Sequence, residues 1–153
     1  MKHYKDESNN LYAYESDGSQ DAFIKEGLVP ISDEDLAAMI APTTEQLLSQ
    51  LTAARKEQER QGVVINGIRY AGDPSNRQAL QEAIAFMEDA GLTEFESWKD
   101  SDNQFHASHP LIDVVDAYQA IGARRAELIA AEGEYAAQIT GGTFTDLSLV
   151  TWP

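Results

Sequence analysis

The strongest constraint on how this chain can fold lies in residues 110–139. Leu111, Val114, Tyr118, Ile121, Arg125, Leu128, Glu132, Tyr135 and Ile139 recur at alternating steps of three and four. That spacing places all nine on one stripe of an α-helix, and seven of them are apolar or aromatic. Val115, Gly122, Ile129 and Ala136, seven apart, widen the stripe on one side. Ser108 or His109 can cap the start, Pro110 suits a first helical position, and Asp113 favours the positive helix end. Gly141-Gly142 provides the stop. A helix of about 30 residues runs roughly 45 Å. The stripe can therefore be a core face covered by the chain's own shorter helices, or a seam shared with a second chain. In the second case Tyr118, Ile121, Arg125, Leu128, Glu132, Tyr135 and Ile139 form the partner-binding surface, and Arg125 and Glu132 set its register.

Upstream of this helix the punctuation is local and clear. Tyr4, the polar run Asp6-Glu7-Ser8-Asn9-Asn10, then Leu11, Tyr12 and Tyr14 read as a β-hairpin. An isolated hairpin is marginal, so this one must dock on another element or pair with a further strand. Residues 16–27 read as a loop anchored by Phe23 and Ile24, and Leu28-Val29-Pro30-Ile31 as extended chain. Ser32 followed by Asp33-Glu34-Asp35 is a helix start, an N-cap with three acids in the positive first turn. As a metal cluster the three acids point in different directions on a helix and do not converge. Leu36, Met39 and Ile40 supply that helix's inner face, and Ala41-Pro42 ends it.

Thr43 or Thr44 opens a second helix reaching about Arg60, with Leu47, Leu48, Leu51 and Ala54 on one face. Past Ala54 its sequence is polar on every side, which predicts a connector with solvated last turns. Asn66-Gly67 between Val63-Val64-Ile65 and Ile68-Arg69-Tyr70 specifies a two-residue type I′ hairpin. Asp73-Pro74 starts a third helix with Leu80, Ala83, Ile84 and Met87 inward, closed by Gly91. A second hairpin spans 95–106, with Trp98 and Phe105 flanking the turn at Asp100-Ser101-Asp102-Asn103. Residues 143–153 read as a short turn and an extended, strongly apolar end.

The expected class is α+β: an N-terminal β-hairpin with helices, then small antiparallel hairpins packed with a helix and one long C-terminal helix. The expected division is 1–42 as a partner region, 43–61 as a connecting helix and 62–153 as the main domain.

Charge and composition then narrow the functional classes. Eleven basic against 26 acidic residues give a net charge of -15, a field that repels phosphate backbones, and no Lys/Arg run offsets it. There is no cysteine, so thiol catalysis, disulfides and a thiolate zinc site are excluded. The polar N-terminus lacks a signal peptide's apolar core, and no apolar run approaches the ~20 residues of a bilayer span. Cytoplasmic residence and no membrane partner are the expectations.

His106 and His109, with Asp102 or Asp113 as a third ligand, are the best metal candidate, against the alternative of a polar loop at a hairpin-to-helix junction. Ser101-Asp102-Asn103 matches one element of a serine β-lactamase, but Ser-x-x-Lys and Lys-Thr-Gly are missing. Phosphate-binding glycine loops, nucleophile elbows and His-Glu-x-x-His are absent as well. No catalytic residue, metal or cofactor is expected, and an acid-catalysed glycan hydrolase is the remaining enzyme alternative.

From residue 62 the order of features is Gly-Val-Val-Ile-Asn-Gly-Ile-Arg-Tyr, Asp-Pro-Ser-Asn-Arg-Gln-Ala-Leu and Glu-Ser-Trp-Lys-Asp. An alanine- and acid-rich long helix follows, and then Thr-Phe-Thr-Asp-Leu and Val-Thr-Trp-Pro. This order resembles the DUF4376 family of tailed-bacteriophage proteins. The opening Lys-x-Tyr-Lys-Asp and Val-Pro-Ile-Ser-Asp-Glu-Asp-Leu are similar to such phage proteins too. The resemblance implies a non-enzymatic tail fibre assembly protein, a chaperone that binds the fibre and assists its folding, trimerisation or attachment in the host cytoplasm. A structural subunit kept in the virion tail is the alternative. It implies the tail fibre protein as partner, with self-association through the long helix also open, and no nucleic acid.

Overall fold

The computed structural model describes all residues from Met1 to Pro153, and the chain divides into two compact units, Met1–Thr43 and Thr44–Pro153. The architecture is α+β, with four α-helices and three small antiparallel sheets.

In the first unit, β1 (Lys2–Lys5) and β2 (Leu11–Tyr14) form the expected hairpin, with Asn9 at φ 62 in its turn. The Asp6 carboxylate organises that turn, accepting from the backbone N–H groups of Ser8 and Asn10 (both 2.9 Å) and from the Tyr12 hydroxyl at 3.0 Å. The hairpin finds its further strand in β3 (Val29–Ile31), which pairs with β1 to give the order β2-β1-β3. Pro30 sits opposite Tyr4 on this outer strand, where its missing N–H costs no ladder bond. Ser32 then caps α1 (Asp33–Ile40), its hydroxyl oxygen accepting from the Asp35 N–H at 3.0 Å.

The second unit is built around α4 (Leu111–Thr140), the long helix expected from the stripe. Its start differs from expectation. The strand β7 (Phe105–Pro110) runs up to the helix, Leu111 is the first helical residue, and no side chain caps the end. The Leu111 N–H instead donates to the Thr93 carbonyl at 2.9 Å, so the neighbouring hairpin satisfies that amide. Ser108 takes φ 49 and is the one position of β7 left out of the pairing with β6 (Glu94–Lys99).

At the N-terminal end of α4, one core joins Val114, Ala117 and Ile121 to Tyr70 and Leu80. Tyr70 comes from the hairpin of β4 (Val63–Ile65) and β5 (Ile68–Tyr70), turned by Asn66 at φ 50 and Gly67 at φ 81 as the type I′ signal requires. Leu80 comes from α3 (Pro74–Asp89), whose Asp73 cap accepts from the Asn76 N–H at 3.0 Å. At the other end a second core joins Ile139 to Leu47 and Leu51 of α2 (Thr44–Gln61). The irregular tail covers it with Phe144, Leu147, Val150 and Trp152, and Leu147–Leu149 forms a 3-10 turn.

Two expectations are corrected here. Helix α2 is part of the second unit and runs antiparallel along the later half of α4, and its last turns are solvated on one side only. Leu47, Leu51, Arg55 and Glu59 share one i, i+4 face, and all four are buried. Periodicity in apolar residues stops at Leu51, but the face continues inward because the two charges find partners there.

Candidate functional site

The seven residues of the expected partner surface are mostly interior. Leu128 is 0 % exposed, Ile139 2 % and Ile121 3 %, while Tyr118, Glu132 and Tyr135 are partly buried and Arg125 is exposed. Ile121 belongs to the first core and Ile139 to the second, with Tyr118 and Tyr135 packed against them, so the apolar part of the stripe faces largely into the chain. The cover that periodicity does not reveal is the tail, where Tyr135 packs against Phe144 (5.1 Å between ring centres) and Trp152 (6.5 Å).

Arg125 and Glu132 do pair, but with α2. Glu132 Oε2 lies 2.5 Å from Arg55 Nε, a contact outside hydrogen-bonding angles, and Glu132 Oε1 accepts from the Thr52 hydroxyl at 2.5 Å. Arg55 also donates from Nη1 to Glu59. Glu59 further faces Arg125 Nε at 3.3 Å and Arg77 Nη1 at 3.6 Å. This layer of three arginines and two glutamates lies between the two cores along α4. Such paired charges specify register more than they stabilise.

The candidate metal ligands are each engaged separately. His106 Nε2 lies 2.8 Å from Asp100 Oδ2, and His109 Nε2 lies 2.6 Å from the Tyr70 hydroxyl. Asp102 accepts from Arg69 at 2.6 Å and 2.9 Å, and Asp113 from Asn66 at 3.1 Å. No three His, Asp or Glu side chains converge. His109 is 2 % exposed and stacks on Trp98 at 5.5 Å. Burial holds its pKa below the usual histidine value, and burial pushes the Tyr70 hydroxyl up to about 12. The His106 hydrogen bond, then the Gln104 N–H, holds the Asp100 carboxyl below the usual carboxylate range. For Tyr70 and His109, both shifts favour the neutral form of the group concerned.

What remains open to solvent and uncommitted is the first unit. No residue of Met1–Thr43 is buried. Met1, Leu11, Phe23, Val29 and Ile40 all stand exposed, Phe23 at 73 % and Ile40 at 64 %. The sheet's order is kept by aromatic and turn contacts instead: Tyr4 meets Tyr14 edge-on at 5.7 Å, and the Lys25 ammonium lies 5.2 Å from the Tyr12 ring centre. Sequence reading places the hairpin and the strand correctly, yet it does not single out this surface. The available signal is the contrast between the tyrosine-rich short strands and the lack of any apolar stripe long enough to cover them.

No helix is long and apolar enough to cross a membrane. No curated protein and no solved structure matches the chain. The DUF4376 family model, described as a domain of unknown function, matches residues 42–150, which is the second unit almost from end to end. A match over that much of the sequence, on the segment built around the long helix, makes the chain a member of the DUF4376 family.

Proposed function

We propose that this chain is a phage tail fibre assembly protein, a binding chaperone that engages fibre chains while they fold, trimerise or attach. The observation that carries the reading is the contrast in burial: a second unit with two cores bears a first unit of about 40 residues with no buried side chain. A unit of this length lies close to the size, roughly 40 residues, below which domains usually need help to fold stably. A partner that covers Phe23, Val29, Leu11 and Ile40 supplies the missing interior. Assembling fibres expose unpaired strands and apolar surface until their chains register, which is what such a unit would cover. The net charge of -15 supports the reading by keeping a carrier of exposed apolar surface soluble.

In this reading the protein acts by binding, without turnover or cofactor, in the cytoplasm of an infected host. Co-expression with the tail fibre protein of the same phage, followed by pull-down, tests it. The expected result is a complex that forms with the fibre and a fibre that becomes insoluble when the chain is omitted. Fibre that folds equally well alone, with no complex, overturns the proposal. Stoichiometric retention in purified particles would instead make the chain a virion tail subunit.

A further inference from the structure

The two outer strands of the first unit's sheet are not equivalent. The β3 edge carries Pro30, which cannot donate to an added strand. The β2 edge carries no proline and no lysine.

The register shows which backbone groups of β2 are free. Asp6 N–H donates to the Asn10 carbonyl at 3.1 Å, so Asp6 points its backbone toward the second arm of the hairpin. In an antiparallel ladder this orientation recurs every second residue. Tyr4 with Tyr12 and Lys2 with Tyr14 are therefore the hydrogen-bonded pairs. Pro30 agrees independently, because its place opposite Tyr4 leaves His3 and Lys5 to bond β3 through Ile31 and Val29. It follows that Leu11 and Ala13 aim their N–H and C=O groups away from β1, at the outer edge. The next outward amide, Glu15 N–H, is already closed by the Gln20 side chain at 2.9 Å. The free edge is thus bounded on that side, and two residues of it are ready to pair.

We infer that the outer edge of β2 accepts an extended segment of another polypeptide as a fourth strand, one whose short alternating core is flanked by lysine or arginine. The charge preference comes from Glu7, in the hairpin turn that leads into β2, and Glu15, directly after it. Neither has a salt-bridge partner, in a unit whose Lys2 is paired with Asp21 at 2.6 Å and whose Lys25 lies over Tyr12. Strand addition supplies affinity through main-chain bonds, and the alternate side chains of the added strand would lie beside Leu11 and Ala13 on one face and Tyr12 and Tyr14 on the other. The inference rests on the proposed function for the source of the strand, an unregistered fibre chain, but not for the site.

The experiment uses the full chain, the fibre protein, and the capped peptide Lys-Val-Thr-Val-Thr-Lys as a strand probe. Amide NMR should show Leu11 and Ala13 shifting and slowing in exchange on addition of either. Ala13→Pro removes one outward N–H and no bond to β1, and should weaken binding about tenfold, the scale of one backbone hydrogen bond. Persistence of the Tyr4–Tyr14 contact reports that the variant is folded. A second variant, Glu7→Lys/Glu15→Lys, should reject this peptide and accept its glutamate-flanked counterpart, a reversal that misfolding cannot produce. Unchanged Leu11 and Ala13 amides, or full binding by Ala13→Pro with the charge variant showing no reversal, overturns the inference. Fibre bound equally well by Ala13→Pro also overturns it while the proposed function stands. A chain that takes the peptide on β2 but ignores the fibre removes the proposed function and leaves the edge assignment in place.

Discussion

The two units solve the same problem, holding short hairpins in place, by opposite means. In Thr44–Pro153 the hairpins lean on α4, and Tyr70 of β5 is 1 % exposed against Val114, Ala117 and Ile121. In Met1–Thr43 nothing is buried, and the strands are kept in order by polar pins. Asp6 holds the first turn, Asp17 accepts from Ser19 N–H at 2.9 Å, Ser32 caps α1, and Lys2 pairs with Asp21. Exposed pins of this kind each contribute little, because water competes for every one of them. The difference teaches that sheet content alone does not make a stable unit. A long amphipathic helix gives the second unit an interior, and the first unit has no element of that kind.

The largest effect that would sharpen this contrast is Leu128→Asp. Leu128 is 0 % exposed on α4, so the aspartate must either bury a charge or open the helix seam. The expected cost exceeds about 4 kcal/mol, enough to unfold much of a domain whose whole stability is of order 5–15 kcal/mol. Thermal melting by circular dichroism should lose its cooperative transition. A variant that melts like the parent would mean that α4 is not the centre of the second unit. Next comes Glu59→Ala, which leaves the buried Arg55 with Glu132 alone and takes from Arg77 and Arg125 their shared carboxylate. Removing one partner of a buried charge group costs roughly 3–5 kcal/mol. Chemical denaturation should show it as a lower midpoint with an unchanged slope.

These same residues show what the sequence could and could not disclose. The turn at Asn66-Gly67 and the caps at Ser32 and Asp73 are legible because one or two adjacent residues decide them. Helix α4 is legible because thirty residues keep one period. Its cover is not, since Phe144, Leu147, Val150 and Trp152 lie on irregular chain and carry no period to recognise. The inward face of α2 is missed for a related reason. Arg55 and Glu59 read as solvated residues until Arg77, Arg125 and Glu132 are known to lie beside them. The first unit's surface has no signal of its own, because an exposed Phe23 looks in sequence like any core anchor.

Acid should separate the units in a fixed order. His109 has a folded pKa depressed by burial, so between that value and about 6.5 the unfolded chain holds more protons than the folded one. Its stabilisation of the second unit is complete above about 6.5 and is lost as pH falls through the folded pKa. In the first unit the carboxyls of Asp6, Asp17 and Asp35 are held below 3.8, chiefly by hydrogen bonds from Asn10, Ser19 and Ser32. Their contribution is present above 3.8 and disappears only below it. Near-UV circular dichroism should therefore weaken from pH 6.5 downward through Trp98, which stacks on His109, before the β1–β2 amides respond. At the alkaline end, Tyr70 keeps its proton to about 12 while the unfolded chain loses it near 10, so the second unit should weaken across that interval. A Tyr70→Phe variant should abolish the alkaline step.

The smallest effect on stability bears most directly on the first unit's role. Phe23 is 73 % exposed in the 3-10 turn Asp21–Phe23, so Phe23→Ser removes almost no buried area. Its melting temperature should match the parent, as surface changes usually fall within about 0.5 kcal/mol. If a partner covers this unit, the same change removes an aromatic anchor from the interface, where truncations of that kind cost about 1–2 kcal/mol or more. Fibre binding measured by calorimetry should then drop roughly tenfold or more, with folding untouched. Should the variant lose stability instead, Phe23 would be a core residue after all and the contrast between the units would weaken. Should it keep both stability and binding, the partner's contact would lie elsewhere on the chain, and the exposed apolar residues of Met1–Thr43 would have no part in it.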